Sequence, residues 1–343
     1  MEQDHHAKEP ELNGWRPRAA TVAVAAVLAL LALGCSGGPP GPTNPAPTNP
    51  APLTTGPPEP AARTAGSRVI VVVEENHSIG QIIGSPQAPF LNTLATKGAL
   101  LTSYFAITHP SLPNYIAMVS GDTQGITSDC GDCNVDAPNL ADQLEAARIS
   151  WKAYMEDLPA PCSDAPQDGP YAKKHNPFMY FASVRDHPDR CAKVAPLDQL
   201  DADLQAGQLP RFAFVTPNQD HDMHGAGEGG NDAALIGTAD RWLETLYGKL
   251  ASSSAWREDT RLVVTWDEGA QAGGRTGCCS GLATGGNVAT IIVGPRVKPS
   301  RDDATYTHYS LLRSIEARFH LPYLDHAGDP TTTIPALADS PPP

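Results

Sequence analysis

Residues able to do chemistry gather in a few short runs of this chain: Glu74-Glu75-Asn76-His77, Thr108-His109-Pro110-Ser111, the stretch 218–224 reading NQDHDMH, and Asp267-Glu268. Carboxylates, a carboxamide and imidazoles make a donor set for a divalent cation, because hard oxygens and neutral imidazole nitrogen both bind such ions. A set of Glu75, Asn76, Asp267 and Glu268 is rich in oxygen, which suits calcium, magnesium or manganese at least as well as zinc, and no HExxH pattern accompanies it. Ser111 stands two residues before Pro113 in the run THPSLPNYIAMVSG at 108–121. Proline fits the first turn of a helix, where its absent N–H is no loss. The open amides of that turn and the positive end of the helix dipole then make a seat for an anion. A serine oxygen there, beside a cation, can lose its proton and attack phosphorus while the amides and Asn114 hold the phosphoryl oxygens. The residues leave a second reading equally open, in which Ser111 only caps the helix. Each run alone also has a plain structural reading, and convergence of all of them on one rim is what points to a site.

A parallel sheet would bring them together. Apolar, β-rich runs occur at 68–73, 99–105, 150–154, 211–216, 261–266 and 288–293, with helical patterns between them at 89–97, 113–120, 139–147, 232–250 and 308–319. This alternation predicts an α/β fold, a doubly wound and mostly parallel sheet with helices on both faces. Ligands of such sheets bind beyond the carboxyl ends of the strands, and the polar runs lie just past predicted strands. No internal repeat and no GxGxxG or GxxxxGK[ST] phosphate loop is present.

The N-terminal part is of another kind. An apolar block at 19–33 follows Arg16 and Arg18 and closes on Gly34-Cys35. It is shorter than the roughly 20 residues of a membrane span and fits the apolar segment of an export signal. Residues 1–34 are therefore expected to be an export signal, with Cys35 of a lipobox-like Gly-Cys taking lipid and anchoring the protein to a membrane. Free secretion is the alternative. Residues 35–66 form a Pro-rich tether too poor in large side chains to bury a core, 67–326 a single α/β domain, and 327–343 a C-terminal tail. A net charge of −14 argues against nucleic acid as a partner. Past Cys35 there remain Cys130, Cys133, Cys162, Cys191, Cys278 and Cys279. In an exported chain an even number favours disulfides, and Cys162 with Cys191 is expected to staple a Pro-rich insertion at 159–196 that covers the rim. Cys130-Gly-Asp-Cys133 resembles half of a zinc site but has no second C-x-x-C. His175 and His187 of the insertion are expected at the surface.

The motifs EENHSIGQIIG, THPSLPNYIAMVSGDTQGI, PNQDHDMH, VVTWDEG, GPRVKP and THYSLLRSIE occur in the order seen in a bacterial phosphoesterase family. That family contains acid phosphatases, phosphoinositide phosphatases and phospholipases C and lies within the alkaline phosphatase-like superfamily. The resemblance runs from 68 to 323 and is greatest to secreted acid phosphatases acting on phosphoinositides. It implies an exported, metal-dependent phosphomonoesterase acting on a phosphate ester, phospholipids among them. Glu75, Asn76, Asp267 and Glu268 would bind the metal, and Ser111 would form a phosphoserine. Asn114 would contact the phosphoryl group, and His109, Asp222, His224 and His308 would surround phosphate or protonate the leaving group. Gln219 and Asp220 replace the family's Leu-Cys, which makes His221 a second choice beside His224. A phospholipase C-type phosphodiesterase is the nearest alternative, since the same serine and metal can attack a diester. A sulfatase is disfavoured by Tyr115, where its motif needs arginine. A non-catalytic metal- or ligand-binding surface lipoprotein would need the tether but not a serine at a helix start.

Overall fold

A computed structural model describes residues 66–224, 232–270, 275–330 and 332–338. The expected export signal, Cys35 and the Pro-rich run up to residue 65 lie outside the described residues. Strands β1 (Arg68–Glu74), β2 (Ala99–Phe105), β3 (Trp151–Met155), β4 (Val194–Pro196), β5 (Phe212–Thr216), β6 (Thr260–Trp266), β7 (Asn287–Val293) and β8 (Ser300–Thr307) form one sheet in the order β8-β2-β7-β6-β1-β5-β3-β4. All pairings are parallel except those of β7, which runs against both β2 and β6. The longer helices are α1 (Pro89–Lys97), α2 (Ser111–Ser120), α3 (Leu140–Ala146), α4 (Asp198–Gln205), α5 (Asp232–Ser252) and α6 (His308–Phe319).

The run VIVVV of β1 and the whole of β5, β6 and β7 are buried. Successive side chains of a strand face opposite sides, so this burial needs helices on both faces. They are supplied by α1 packed on α5 and by α2 packed on α3 and α6. Every residue of α2 is buried, so the helix that begins at Ser111 is held on all sides. The strand at 300–307 is absent from the apolar pattern because SRDDATYT lies at the sheet edge with its first residues largely exposed, as edge strands tolerate.

Register brings the two acidic runs side by side. Glu74 of β1 lies opposite Trp266 of β6, so Glu75 and Asp267 leave adjacent strands at one level, and the Asp267 N–H donates to the Glu74 carbonyl at 2.9 Å. Because β7 is antiparallel, its beginning rather than its end lies on this rim. There the Thr284 and Gly285 N–H groups donate to the carbonyls of Ile107 and Ala106 and clamp the loop that leads to Ser111. A Cβ on Gly285 would come within 2.4 Å of the Thr108 carbonyl oxygen, so the close approach requires glycine.

The insertion at 159–196 is built rather than loose. It has a small hairpin (Gln167–Asp168 with Tyr171–Ala172), short helical turns and strand β4, and Phe178, Met179, Tyr180 and Phe181 are fully buried. Phe178 stacks on Trp151 of β3 at 5.1 Å and meets Phe214 of β5 edge-on at 5.6 Å. An aromatic run joins this segment to the main core, which its prolines alone do not suggest. Disulfides link Cys130 to Cys133, Cys162 to Cys191 and Cys278 to Cys279. Beyond residue 326, Ile334 and Leu337 are fully buried against the same core. Among the described residues no helix is long and apolar enough to cross a membrane.

The Cys162–Cys191 bridge spans 29 positions. Replacing both cysteines by alanine should lower unfolding free energy by about 3–4 kcal/mol on the chain-entropy account. Urea denaturation with a lower midpoint, and an m-value that rises as the unfolded chain expands, is the expected result.

Candidate active site

Ser111 is the first residue of α2, and Pro110 holds the N-cap position, with no side-chain capping bond. The cap-only reading of Ser111 is thereby set aside. Its hydroxyl donates instead to Glu75 Oε2 at 3.0 Å. Glu75 is fully buried and also accepts from the Tyr115 hydroxyl at 2.8 Å and the Asn76 carboxamide at 2.9 Å. Asn76 adopts a left-handed conformation with φ of 55°, which asparagine tolerates better than most residues. That turn lets its backbone N–H donate to Asp267 Oδ1 at 3.2 Å. Alternation along β1 sends Glu74 to the other face of the sheet.

Two carboxyls buried this closely disfavour each other's charge. Glu75 is pushed well above the ordinary carboxylate range by burial first and then by the charges of Asp267 and Asp222. Asp267 is raised likewise, by burial and then by Glu268. Asp267 Oδ2 is buried without a hydrogen-bond partner. Among the described residues no group of three or more His, Cys, Asp or Glu side chains is arranged to hold a metal ion. Glu268, expected as a ligand, turns instead to His109, whose Nδ1 lies 2.8 Å from Glu268 Oε2. The chemistry of the rest nevertheless fits a hard divalent cation. Glu75, Asp267, the Asn76 carboxamide and the Ser111 hydroxyl offer oxygens, and one buried carboxylate oxygen has no donor of its own.

The other expected residues divide. Asp222 is buried beside Glu75, its carbonyl accepting the Glu75 N–H at 2.8 Å, and His224 Nδ1 lies 2.7 Å from the Asn76 amide nitrogen. Asn114, expected at the phosphoryl group, has its carboxamide committed to the backbone. Its oxygen accepts from Ile107 and Thr108, and its nitrogen donates to Thr108 and Pro110. It fixes the loop before Ser111. His308 is fully enclosed, with Nε2 2.6 Å from the Asp267 carbonyl and Nδ1 3.0 Å from the Tyr104 hydroxyl, and burial brings its pKa down to about 4. A neutral imidazole with both nitrogens engaged steadies Asp267 and is not placed to protonate a leaving group. His221 belongs elsewhere, with Nδ1 3.0 Å from Glu156 Oε2. His77 lies against the Glu75 carbonyl.

His175, expected at the surface, is only 2% exposed. Its Nε2 is 3.1 Å from Glu75 Oε1 and its Nδ1 3.3 Å from Asp222 Oδ2, neither aligned as a good hydrogen bond, and its ring stacks on Tyr115 at 5.4 Å. Tyr115 was likewise not assigned to the site from the sequence. The signal for it was available, because it lies four residues after Ser111 on one helix face.

The eight-stranded, mostly parallel sheet is a fold shared with the alkaline phosphatase superfamily. A superfamily member from Vibrio parahaemolyticus has the same fold, with a TM-score of 0.52 at 16% identity, covering 78% of this chain and 70% of that one. The chain belongs to the phosphoesterase family, whose model matches residues 85–322. It is 34% identical over 276 residues to a phosphatidylinositol-3-phosphatase of Mycobacterium tuberculosis, covering 80% of this chain and 82% of that one. It is 31% identical to a probable acid phosphatase of Kluyveromyces lactis, covering 77% of this chain but 61% of the longer fungal protein.

With both carboxyl pKa values raised on folding, the ion-free native state holds more protons than the unfolded chain. Its stability is therefore greatest below the ordinary values of 3.8 to 4.5 and falls as pH rises through the raised ones. Chelator-treated protein should lose melting temperature as pH rises above the ordinary carboxylate range. A divalent ion should restore it, and Asp267→Asn should flatten the ion-free decline. An ion-free melting temperature that stays level as pH rises above that range counts against the pair.

Proposed function

We propose that this protein is an exported, metal-dependent phosphomonoesterase of the acid phosphatase type, with Ser111 as nucleophile and a phosphoserine between its two half-reactions. The observation that supports this most is the Ser111 hydroxyl, buried at the start of α2 and bonded to Glu75 rather than to its own helix. A divalent ion held by Glu75, Asn76 and Asp267 would favour the alkoxide and draw charge from the phosphoryl oxygens. The Ser111 oxygen attacks phosphorus, the bond from phosphorus to the substrate's alcohol oxygen breaks, and that oxygen takes up a proton. Water then attacks the phosphoserine, phosphate departs, and the serine oxygen regains a proton.

Among the histidines, His109 suits the role of proton donor. The hydrogen bond to Glu268 raises its pKa against the opposing effect of burial, and its side chain is 28% exposed. His224 is lowered instead, by protein atoms crowding its ring and then by Lys174, although the residue is exposed to solvent. The charge gained by His109 thus persists to higher pH than that of His224 or His308. The name of the mycobacterial relative supports a phosphoinositide among the substrates. The apolar block at 19–33 and the disulfides support export, and Gly34-Cys35 supports a lipid anchor.

A chromogenic phosphate monoester tests the reading. Wild type should turn it over with an added divalent ion, and Ser111→Ala should lose several orders of magnitude in rate while staying folded. Acid-quenched wild type should carry phosphate on the peptide containing Ser111. A fully active Ser111→Ala protein removes the nucleophile, and faster cleavage of a phosphodiester moves the assignment to the phospholipase C type.

A further inference from the structure

The insertion brings a second side chain to the mouth of the site. Lys174, one residue before His175, has a side chain only 19% exposed, and its ammonium lies 3.1 Å from Asp129 Oδ2. The other oxygen of Asp129 accepts the backbone N–H of Leu112 at 2.9 Å. Leu112 follows Ser111, so its N–H is one of the first-turn amides of α2 that find no partner within the helix. One carboxylate therefore joins the ammonium of Lys174 to the amide next to the Ser111 oxygen. A carboxylate is an anion with two oxygens about the width of two phosphoryl oxygens apart, and it takes both donors here at hydrogen-bond distance.

The charge of Lys174 reaches further in. It is felt by Glu75, which it favours in the ionised form, and by His224, while Glu75, Asp129 and Asp267 hold its own proton more firmly. Lys173, its neighbour, turns the other way, to Asp164, the Gly131 carbonyl and the face of Tyr180. In a chain of net charge −14, a cation so placed answers a need that the acidic site creates, because a dianionic phosphate monoester must approach buried carboxylates.

We propose that Lys174 is a substrate-positioning residue that binds a phosphoryl oxygen together with the Leu112 N–H, and that the Asp129 carboxylate occupies both donors until phosphate displaces it. This rests on the phosphoesterase reading above. Inorganic phosphate is the probe, titrated calorimetrically into full-length protein loaded with the divalent ion that supports turnover or, if none does, with manganese. Lys174→Ala should weaken phosphate binding by roughly 10- to 100-fold, the range expected for a lost charge-assisted hydrogen bond. It should raise KM for a chromogenic monoester far more than it lowers kcat, and Lys174→Arg should recover most of the loss.

Asp129→Ala should tighten phosphate by freeing both donors, and that gain should be much smaller in the Lys174→Ala background, where only the Leu112 N–H is released, which a purely structural ion pair does not predict. If Lys174→Ala is too unstable to assay, Lys174→Gln carries the same expectation. Unchanged phosphate affinity and KM in the lysine variants, with wild type active, overturn the inference and leave the nucleophile assignment standing. An inactive wild type that still binds phosphate through Lys174 separates the two the other way.

Discussion

Two carboxyl groups, Glu75 and Asp267, are placed side by side and buried because parallel strands in register end at the same level. Much of the surrounding architecture answers that juxtaposition. Ser111 and Tyr115 reach Glu75 from one buried helix, and the left-handed turn at Asn76 delivers a backbone donor to Asp267. His308 and Tyr104 secure the Asp267 backbone from behind. Repulsion between like charges in a dry place is unfavourable for folding alone, and such placements are kept where a site uses the charge.

The same side chain is tuned differently at each position around this pair. His109 gains basicity from a partner carboxylate, His224 loses it under crowding and a nearby ammonium, and His308 is sealed in the neutral form. Composition cannot separate these three, since each is a histidine near acidic residues. What separates them is whether burial, with a nearby ammonium at His224, outweighs the carboxylates that favour the charged ring.

The sheet was legible where burial on both faces forced long apolar runs, as in β1, β6 and β7. The direction of β7 was not, because NVATIIV reads the same whether its neighbours run with it or against it, and β8 was hidden by its polar edge sequence. The polar runs after β1, β2, β5 and β6 were legible as one rim. The duties within it were less so. Asn114 follows Ser111 in a motif that suggests ligand contact, yet four backbone groups within reach claim its amide first. His175 carried no local signal, since its place depends on an aromatic cluster that docks a whole segment against β3 and β5.

That segment is anchored by its own aromatic residues and by a disulfide whose ends lie 4.9 Å apart at Cα, and it supplies side chains to a centre otherwise made from the sheet. The molecule thus separates two kinds of inheritance. The strand ends hold the buried carboxyl pair, where almost any change breaks a shared geometry. The stapled segment can drift in length and charge while its anchors persist. Relatives with one chemistry could then diverge in the compounds they accept by rewriting a single surface cassette, with no alteration to the machinery beneath it.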